Sequence, residues 1–457
     1  MLFSSIPFLY YFLPAVLLAH AIAPRKLKNA VLLAASLFFY GWGEPKYLAL
    51  MLVSIGSFYG CGLAIAGARS QNRKKLWLTV AVIIGIALLT VFKYADFFLQ
   101  SFAAVTGLSI PLLRLALPIG ISFYTFQCMS YAVDVYRGSV PAQRNPVTFG
   151  AYVALFPQLI AGPIVRYVDV ARELESRKTT LEDAVYGARR FLIGLSKKII
   201  LANQLGQLTE LFRTSDEKSV LFHWMYAVAF MLHIYFDFSG YSDMAIGLGR
   251  LLGFHFIENF NYPYLSKSVT EFWRRWHMSL GSWFRDYVYI PMGGNRVSRG
   301  RWVFNILTVW MLTGLWHGAS WNFVLWGLFF GTLLLLEKMV SLERLPGFVR
   351  RIYVLFAVMV SFVLFNGADL AQAGSDIAGL FGGLPFTTAE SIYYLRSYGG
   401  VFLLSIIGAT PGVKNLAGRI PEKVSAVLEP LVLMGLLLIC TGYLVDGSFN
   451  PFLYFRF

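Results

Sequence analysis

The stretch Ile306-Leu-Thr-Val-Trp-Met-Leu-Thr-Gly-Leu-Trp-His-Gly-Ala-Ser-Trp-Asn-Phe-Val-Leu-Trp-Gly-Leu-Phe-Phe-Gly-Thr-Leu-Leu-Leu-Leu336 carries one titratable side chain, His317. An ionisable group inside an apolar run costs free energy unless it is partnered, so by default it marks a functional site. Gly314 and Gly318 thin the backbone on either side of it, and Trp316 and Trp321 flank it. Such thinning serves either helix packing or the close approach of another molecule. The competing reading is a histidine hydrogen-bonded inside a helix bundle.

Working outward, the whole chain has the same character. Of 457 residues 57% are hydrophobic and 14% charged, against about 25% charged in a soluble domain, and the mean hydropathy is +0.61. The expected fold class is therefore an all-α polytopic membrane protein. At roughly 20 residues per span the length allows about ten to twelve transmembrane helices, in a single integral membrane domain covering 1–457. The net charge of +15 does not point to nucleic acid, because the basic residues sit in short runs between apolar segments, as the positive-inside rule requires. Cys61, Cys128 and Cys440 are isolated in apolar runs and imply neither a disulfide framework nor a metal site.

From the N-terminus, Ile6 to Ala23 reads as a retained first span, because no basic region or small-residue cleavage site accompanies it. Arg25, Lys26 and Lys28 then form a cytoplasmic loop, which places the N-terminus outside. Ala30 to Trp42 and Tyr47 to Ala66 make a hairpin about Gly41-Trp-Gly-Glu-Pro45, Trp77 to Phe92 goes out and Leu115 to Val133 returns. Val147 to Val165 holds Phe156-Pro-Gln158 and Ala161-Gly-Pro163 with charge at both ends, and reads as a re-entrant or deeply seated segment lining a path. The course of residues 181–218, amphipathic with Arg189, Arg190, Lys197 and Lys198, stays open between crossing and lying along the inner surface.

Further on, Gly240 is expected to break a helix, with another starting near Tyr241. Asp237 and Asp243 beside this break are either site residues or acids partnered for packing. Glu271 to Tyr287 puts Phe272, Trp276, Leu280, Trp283 and Tyr287 on one helical face and reads as one helix lying in the interface, with His277 at the border of that face. Arg296, Arg299 and Arg301 form an inside loop, so Trp302 to Trp316 runs outward and Ser320 to Leu336 returns, leaving His317 near the turn. Ile352 to Phe365, Gly400 to Thr410 and Leu428 to Val445 complete the spans, and the tail ending at Phe457 lies outside.

No His-Glu-x-x-His, Walker loop, serine elbow or dinucleotide fingerprint appears. What remains is a neutral imidazole in an apolar pocket, able to take a proton from a hydroxyl. An ordinary imidazole titrates near about 6.5 and burial lowers that. A hydroxyl activated in this way could attack a thioester without a metal or redox cofactor.

The motifs Leu117-Pro-Ile-Gly-Ile-Ser-Phe-Tyr124, Phe156-Pro-Gln-Leu-Ile-Ala-Gly-Pro163, Tyr235-Phe-Asp-Phe-Ser-Gly-Tyr-Ser242, Glu271-Phe-Trp-Arg-Arg-Trp-His277 and Gly314-Leu-Trp-His-Gly318 closely resemble the membrane-bound O-acyltransferases, above all the alginate O-acetyltransferase branch. The resemblance runs over nearly the whole chain. It implies that His317 stands in the place of the family's essential membrane-embedded histidine and His277 in that of the second, more cytoplasmic one. It also implies a helical ring with a cytoplasmic funnel joined to an outer cavity by a tunnel, in the bacterial cytoplasmic membrane. Acetyl-CoA or another cytosolic thioester would be the donor substrate, with no tightly bound cofactor and no metal. Arg274, Arg275 and Trp276 are the candidate donor-binding residues, and Arg189 and Arg190 are further basic candidates for the funnel. The partner would be an exported SGNH-type acetyltransferase acting on a polysaccharide. D-alanyl transfer to teichoic acid is the nearest alternative, and a proton-coupled transporter using His233, Asp237 and His317 is an alternative of another class.

Overall fold

The computed structural model describes residues 1–340, 342–447, 449–451 and 453; the expected outside position of the last four residues falls outside the described residues. Every regular element among the described residues is helical. Six helical stretches are long and apolar enough to cross a membrane, and Phe8–Ile22 is a shorter apolar helix. The chain is a multi-pass membrane protein. It divides into two compact units, Met1–Phe191 with Ser242–Glu258, and Leu192–Tyr241 with Asn259–Phe457.

The first unit opens with a π-helical turn, Phe8–Phe12, running into α1 (Leu13–Ile22). It continues through α2 (Lys28–Gly43), α3 (Leu48–Gly67), α4 (Gln71–Leu89) and α5 (Ala95–Thr106). After these come α6 (Ile121–Arg137), α7 (Pro146–Ala154), the single turn α8 (Phe156–Leu159), α9 (Tyr167–Glu175) and α10 (Leu181–Ser196). Aromatic rings fill its core: Phe12 lies 5.3 Å and Phe39 5.6 Å from Phe156, centroid to centroid. α6 begins at Ile121 rather than Leu115, since Pro118 disfavours helix before it and Gly120 enters the helix at φ 74°. The Val147–Val165 segment is deeply seated, as expected, and residues 148–165 are all buried. Its backbone leaves the helix at Leu155, and the exposed polar groups find partners: Phe156 N–H donates to Ser36 Oγ at 3.1 Å, and the Gln158 amide to the Tyr152 carbonyl at 2.6 Å. Irregular backbone in an apolar solvent is tolerated when protein surrounds it in this way.

The second unit starts with the π-helical turn Lys197–Ala202 leading into α11 (Asn203–Thr214), so the basic stretch 181–218 is two helices joined through a widened turn. It then holds most of α12 (Val220–Leu251), the short α13 (Val269–Arg275) and α14 (Met278–Phe284), and the long α15 (Arg299–His317) and α16 (Trp321–Met339). The remaining helices are α17 (Gly347–Asn366), α18 (Leu370–Gly379), α19 (Ala389–Gly408), α20 (Gly412–Ala417) and α21 (Glu422–Val445). Phe230, Tyr235, Phe272, Trp276, Trp326 and Phe362 are central to its core.

Two sequence expectations are corrected here. Gly240 does not break a helix: α12 runs unbroken for 32 residues. A Cβ at Gly240 would come within 2.8 Å of the Gly194 carbonyl, so the glycine serves close approach of backbone to backbone. The roughly 1 kcal/mol that glycine costs a helix interior is small beside the burial of so long an apolar helix. The acids beside it are both paired. Asp237 meets Lys198 at 2.7 Å with both side chains buried, and Asp243 takes the Arg190 guanidinium, which also reaches Glu258. The second correction concerns Glu271 to Tyr287. It is not one interfacial helix, because α13 stops at Arg275 and α14 starts at Met278. Between them His277 sits in the left-handed region at φ 44°.

Candidate active site

The α15–α16 hairpin positions His317. Glycines let its arms touch: a Cβ on Gly314 would fall inside the Phe323 carbonyl, and one on Gly327 inside that of Trp310. Of the two uses open to these glycines, helix packing is the one realised at Gly314. His317 is the last residue of α15, and Gly318 follows in extended backbone. Its ring lies 5.1 Å from that of Trp316, 5.2 Å from Trp326 and 5.5 Å from Phe365. Trp321, the other flanking tryptophan, is exposed.

Phe365 is the penultimate residue of α17, and the last one, Asn366, is tied in place. Its amide donates to the Tyr226 hydroxyl at 2.8 Å, and its carbonyl accepts from Arg213, whose guanidinium is ion-paired with Asp376. The ring facing His317 is thus held through a polar network that involves none of the residues singled out by the motifs.

His277 arrives from the break between α13 and α14. Asn259 fixes that break: its carbonyl accepts from Met278 N–H at 3.0 Å, and its side-chain oxygen accepts from the Ser279 hydroxyl at 2.9 Å. The start of α13 is held by Glu337 of α16, whose carboxylate accepts from the backbone N–H of Val269 and Thr270 and from the Thr270 hydroxyl. An acid at a helix N-terminus is favoured by the helix dipole and by the unfilled N–H groups there. The outcome is a pair of imidazoles, with the His277 ring 6.3 Å from His317, 5.7 Å from Trp316 and 4.7 Å from Phe238.

His277 is 2% and His317 8% exposed. Neither nitrogen of His277 has a hydrogen-bond partner among the described residues, so the two rings are not bonded to each other. Burial first, and the neighbouring His317 second, hold the His277 pKa well below the ordinary imidazole range. The neutral His277 imidazole, enclosed by aromatic rings beside that of His317, has an unused lone pair and N–H group and can bind and relay the proton of a hydroxyl or a thiol. Among the described residues no group of histidine, cysteine, aspartate and glutamate is arranged to hold a metal ion.

The three donor-binding candidates separate. Arg275 is paired with Glu271 and also donates to the Asn261 carbonyl, Arg274 is exposed, and Trp276 is packed among Phe260, Phe272 and Phe362. Asn259, Phe365 and Glu337 were not singled out by the sequence as site residues, and Phe238 stood only within the Tyr235–Ser242 motif. Only Glu337 left a signal, as the first acid after a long apolar run.

The site is thus two buried histidines in a membrane protein whose described elements are all helical, His317 at the α15–α16 hairpin and His277 at the α13–α14 break, and comparison with known proteins says to which class it belongs. Residues 140–368 match the model of the membrane-bound O-acyltransferase family, and the chain belongs to that family and is an acyltransferase. It is 42% identical to a probable alginate O-acetylase of Azotobacter vinelandii, over 83% of this chain and 78% of that protein. It is 36% identical to one from Pseudomonas putida over the full length of both. A peptidoglycan O-acetyltransferase of Helicobacter pylori is 32% identical over 84% of this chain and 80% of its own.

Proposed function

We propose that the protein moves an acetyl group from a cytosolic thioester, acetyl-CoA in the simplest case, toward O-acetylation of an exported or cell-surface polysaccharide. The observation that carries this reading is the side-by-side burial of His277 and His317 with unbonded imidazole nitrogens on His277. His317 is the general base: it accepts the acceptor's hydroxyl proton as that oxygen attacks the thioester carbonyl. The C–O bond forms, the C–S bond breaks, and the proton passes to the departing thiolate, so no other reagent is consumed. A positioned base of this kind contributes roughly 10² to 10⁴ in rate. His277 lies on the donor side and shapes the approach of the thioester.

The reading includes a passage reaching His317 from both faces, through a ring of about ten to twelve spans acting as one acyltransferase domain. It places the protein in the bacterial cytoplasmic membrane with the basic loops inside and both termini outside. The immediate acceptor is an exported SGNH-type acetyltransferase. Alginate is the favoured polymer on the names of the nearer relatives, and the Helicobacter relative makes peptidoglycan the second reading. D-alanyl transfer to teichoic acid would use the same histidines with a different donor.

The test is incubation of membranes with labelled acetyl-CoA and separation of polymer, protein and lipid. Label should appear outside in polymer or partner and be lost, with expression intact, in His317→Ala. Wild-type labelling in that variant would remove the mechanism, and a label that enters only from a D-alanyl donor would move the protein to the other branch.

A further inference from the structure

The geometry points to the groove between α1 and α2 as a binding site for one anionic phospholipid. The groove encloses about 740 Å³. Its walls are almost wholly apolar, with Phe12 from the π-helical turn and Ala15 and Ala19 from α1 facing Val31, Ala34 and Phe38 from α2. Alanines in the middle of each wall keep the slot open where larger side chains would close it. Exposed Leu18, Ile22 and Trp42 around it mark a face turned to lipid.

Length and charge decide the occupant. On α2 the lining runs from Val31 to Trp42, which at 1.5 Å per residue is about 16 Å. That is half of a roughly 30 Å hydrocarbon core, the depth of one leaflet. A transmembrane helix from a partner would need the full thickness. At the Val31 end the groove opens one turn from the loop of Arg25, Lys26 and Lys28, in which Arg25 and Lys26 are exposed. The first acidic residue of the chain is Glu44, beyond the opposite end. The loop is held where a headgroup could use it: Asn29 donates to the Leu174 carbonyl at 2.8 Å and accepts from Arg177 at 2.7 Å, which adds a further cation behind the mouth. Glu173 on α9 is engaged by His255. Basic pockets at the ends of membrane helices are where acidic headgroups bind. A lipid with an acyl chain in the slot and a net negative headgroup at this loop satisfies both ends of the site, whereas in a zwitterionic lipid the headgroup cation offsets the phosphate and weakens the second.

The experiment is a lipid titration of the purified full-length protein in detergent, read by native mass spectrometry, with phosphatidylglycerol and phosphatidylcholine of identical chains. Wild type should retain phosphatidylglycerol over phosphatidylcholine by about tenfold or more, as expected for several basic residues at a headgroup. The exposed-loop variant R25Q/K26Q/K28Q should lose that preference while still binding both lipids. Ala34→Phe, which fills the slot, should remove one bound lipid of either kind, and Ala19→Phe repeats the test from the other wall should the first variant fold poorly. Equal preference in wild type and the loop variant overturns the proposal. So does unchanged lipid retention in both slot variants, or a change in their oligomeric state without lipid loss, which would make the groove a protein–protein contact.

Discussion

At φ 44° His277 holds a conformation that costs a side-chain-bearing residue about 1–2 kcal/mol, and it is neither glycine nor asparagine. The strain persists because Asn259 bonds the two residues that follow, and it delivers the ring to the face of His317. Backbone and chemistry can therefore be separated. His277→Ala keeps the strain and loses the imidazole, whereas His277→Gly relieves the strain and loses the same imidazole. The glycine variant should be the more stable of the two by about 1 kcal/mol, seen as a higher melting temperature in detergent. Acetyl transfer should fall equally in both, and less far than in His317→Ala. Equal melting temperatures would mean the turn is not strained. The lowered pKa of His277 adds a pH dependence. Below about 6.5 the unfolded chain takes up a proton here that the folded one refuses, so folding stability falls with acidification until the depressed folded pKa is reached. One such group contributes at most about 1.4 kcal/mol per pH unit. His277→Gln should flatten the slope of melting temperature between pH 6.5 and 5; an unchanged slope would assign it to other groups.

Among the elements, the α15–α16 hairpin was legible in the sequence and the α13–α14 break was not, and the reason is the range of the interactions involved. The hairpin rests on local signals: two apolar runs, basic residues at their outer ends, and glycines at 314 and 318. The expected run Trp302 to Trp316 lies inside α15, and Ser320 to Leu336 lies inside α16 except for Ser320, its N-cap. The break at His277 runs against a clean helical spacing of aromatic residues. It is imposed by Asn259, about twenty positions upstream, and by Glu337, some sixty downstream, neither of which has a pattern that periodicity can detect. Trp276 and Leu280 are buried as the spacing suggests, but on the two sides of a turn. Gly240 misled in the opposite direction, since a residue that looked like a hinge serves a backbone contact. Glu337 is the test at this scale. Glu337→Ala leaves two backbone N–H groups and a hydroxyl at the start of α13 without their acceptor, at a cost of about 1–3 kcal/mol. It should lower acetyl transfer by misplacing His277, although the residue touches neither histidine in the structure. Glu337→Gln, which keeps one acceptor oxygen, should recover part of both losses. Normal thermal stability in the alanine variant would remove the carboxylate from this role.

At the scale of the whole molecule the two classes of function make different use of the buried charges. A proton-coupled transporter needs Asp237 to gain and lose a proton alongside His233 and His317. In the structure Asp237 is instead bound to Lys198 at 2.7 Å, both side chains 2% exposed, and it also accepts from the Leu453 N–H, while the lysine ammonium reaches the Pro451 carbonyl. That arrangement ties π-helical turn, α12 and the chain's last described residues together, and a pair so used is structural. Removing one member of a buried pair strands the other and costs roughly 3–5 kcal/mol, whereas removing both charges costs less. Asp237→Asn alone should therefore lower the melting temperature sharply. Lys198→Met combined with Asp237→Asn should recover part of that loss, because the carboxamide oxygen still accepts from Leu453 while no unpaired ammonium remains. The double variant, assayed at a temperature where it is folded, should still transfer acetyl, since neither side chain takes part in the chemistry at His317. If the double variant folds as well as wild type yet transfers nothing, Asp237 carries protons and the relay reading displaces the one argued from the two histidines.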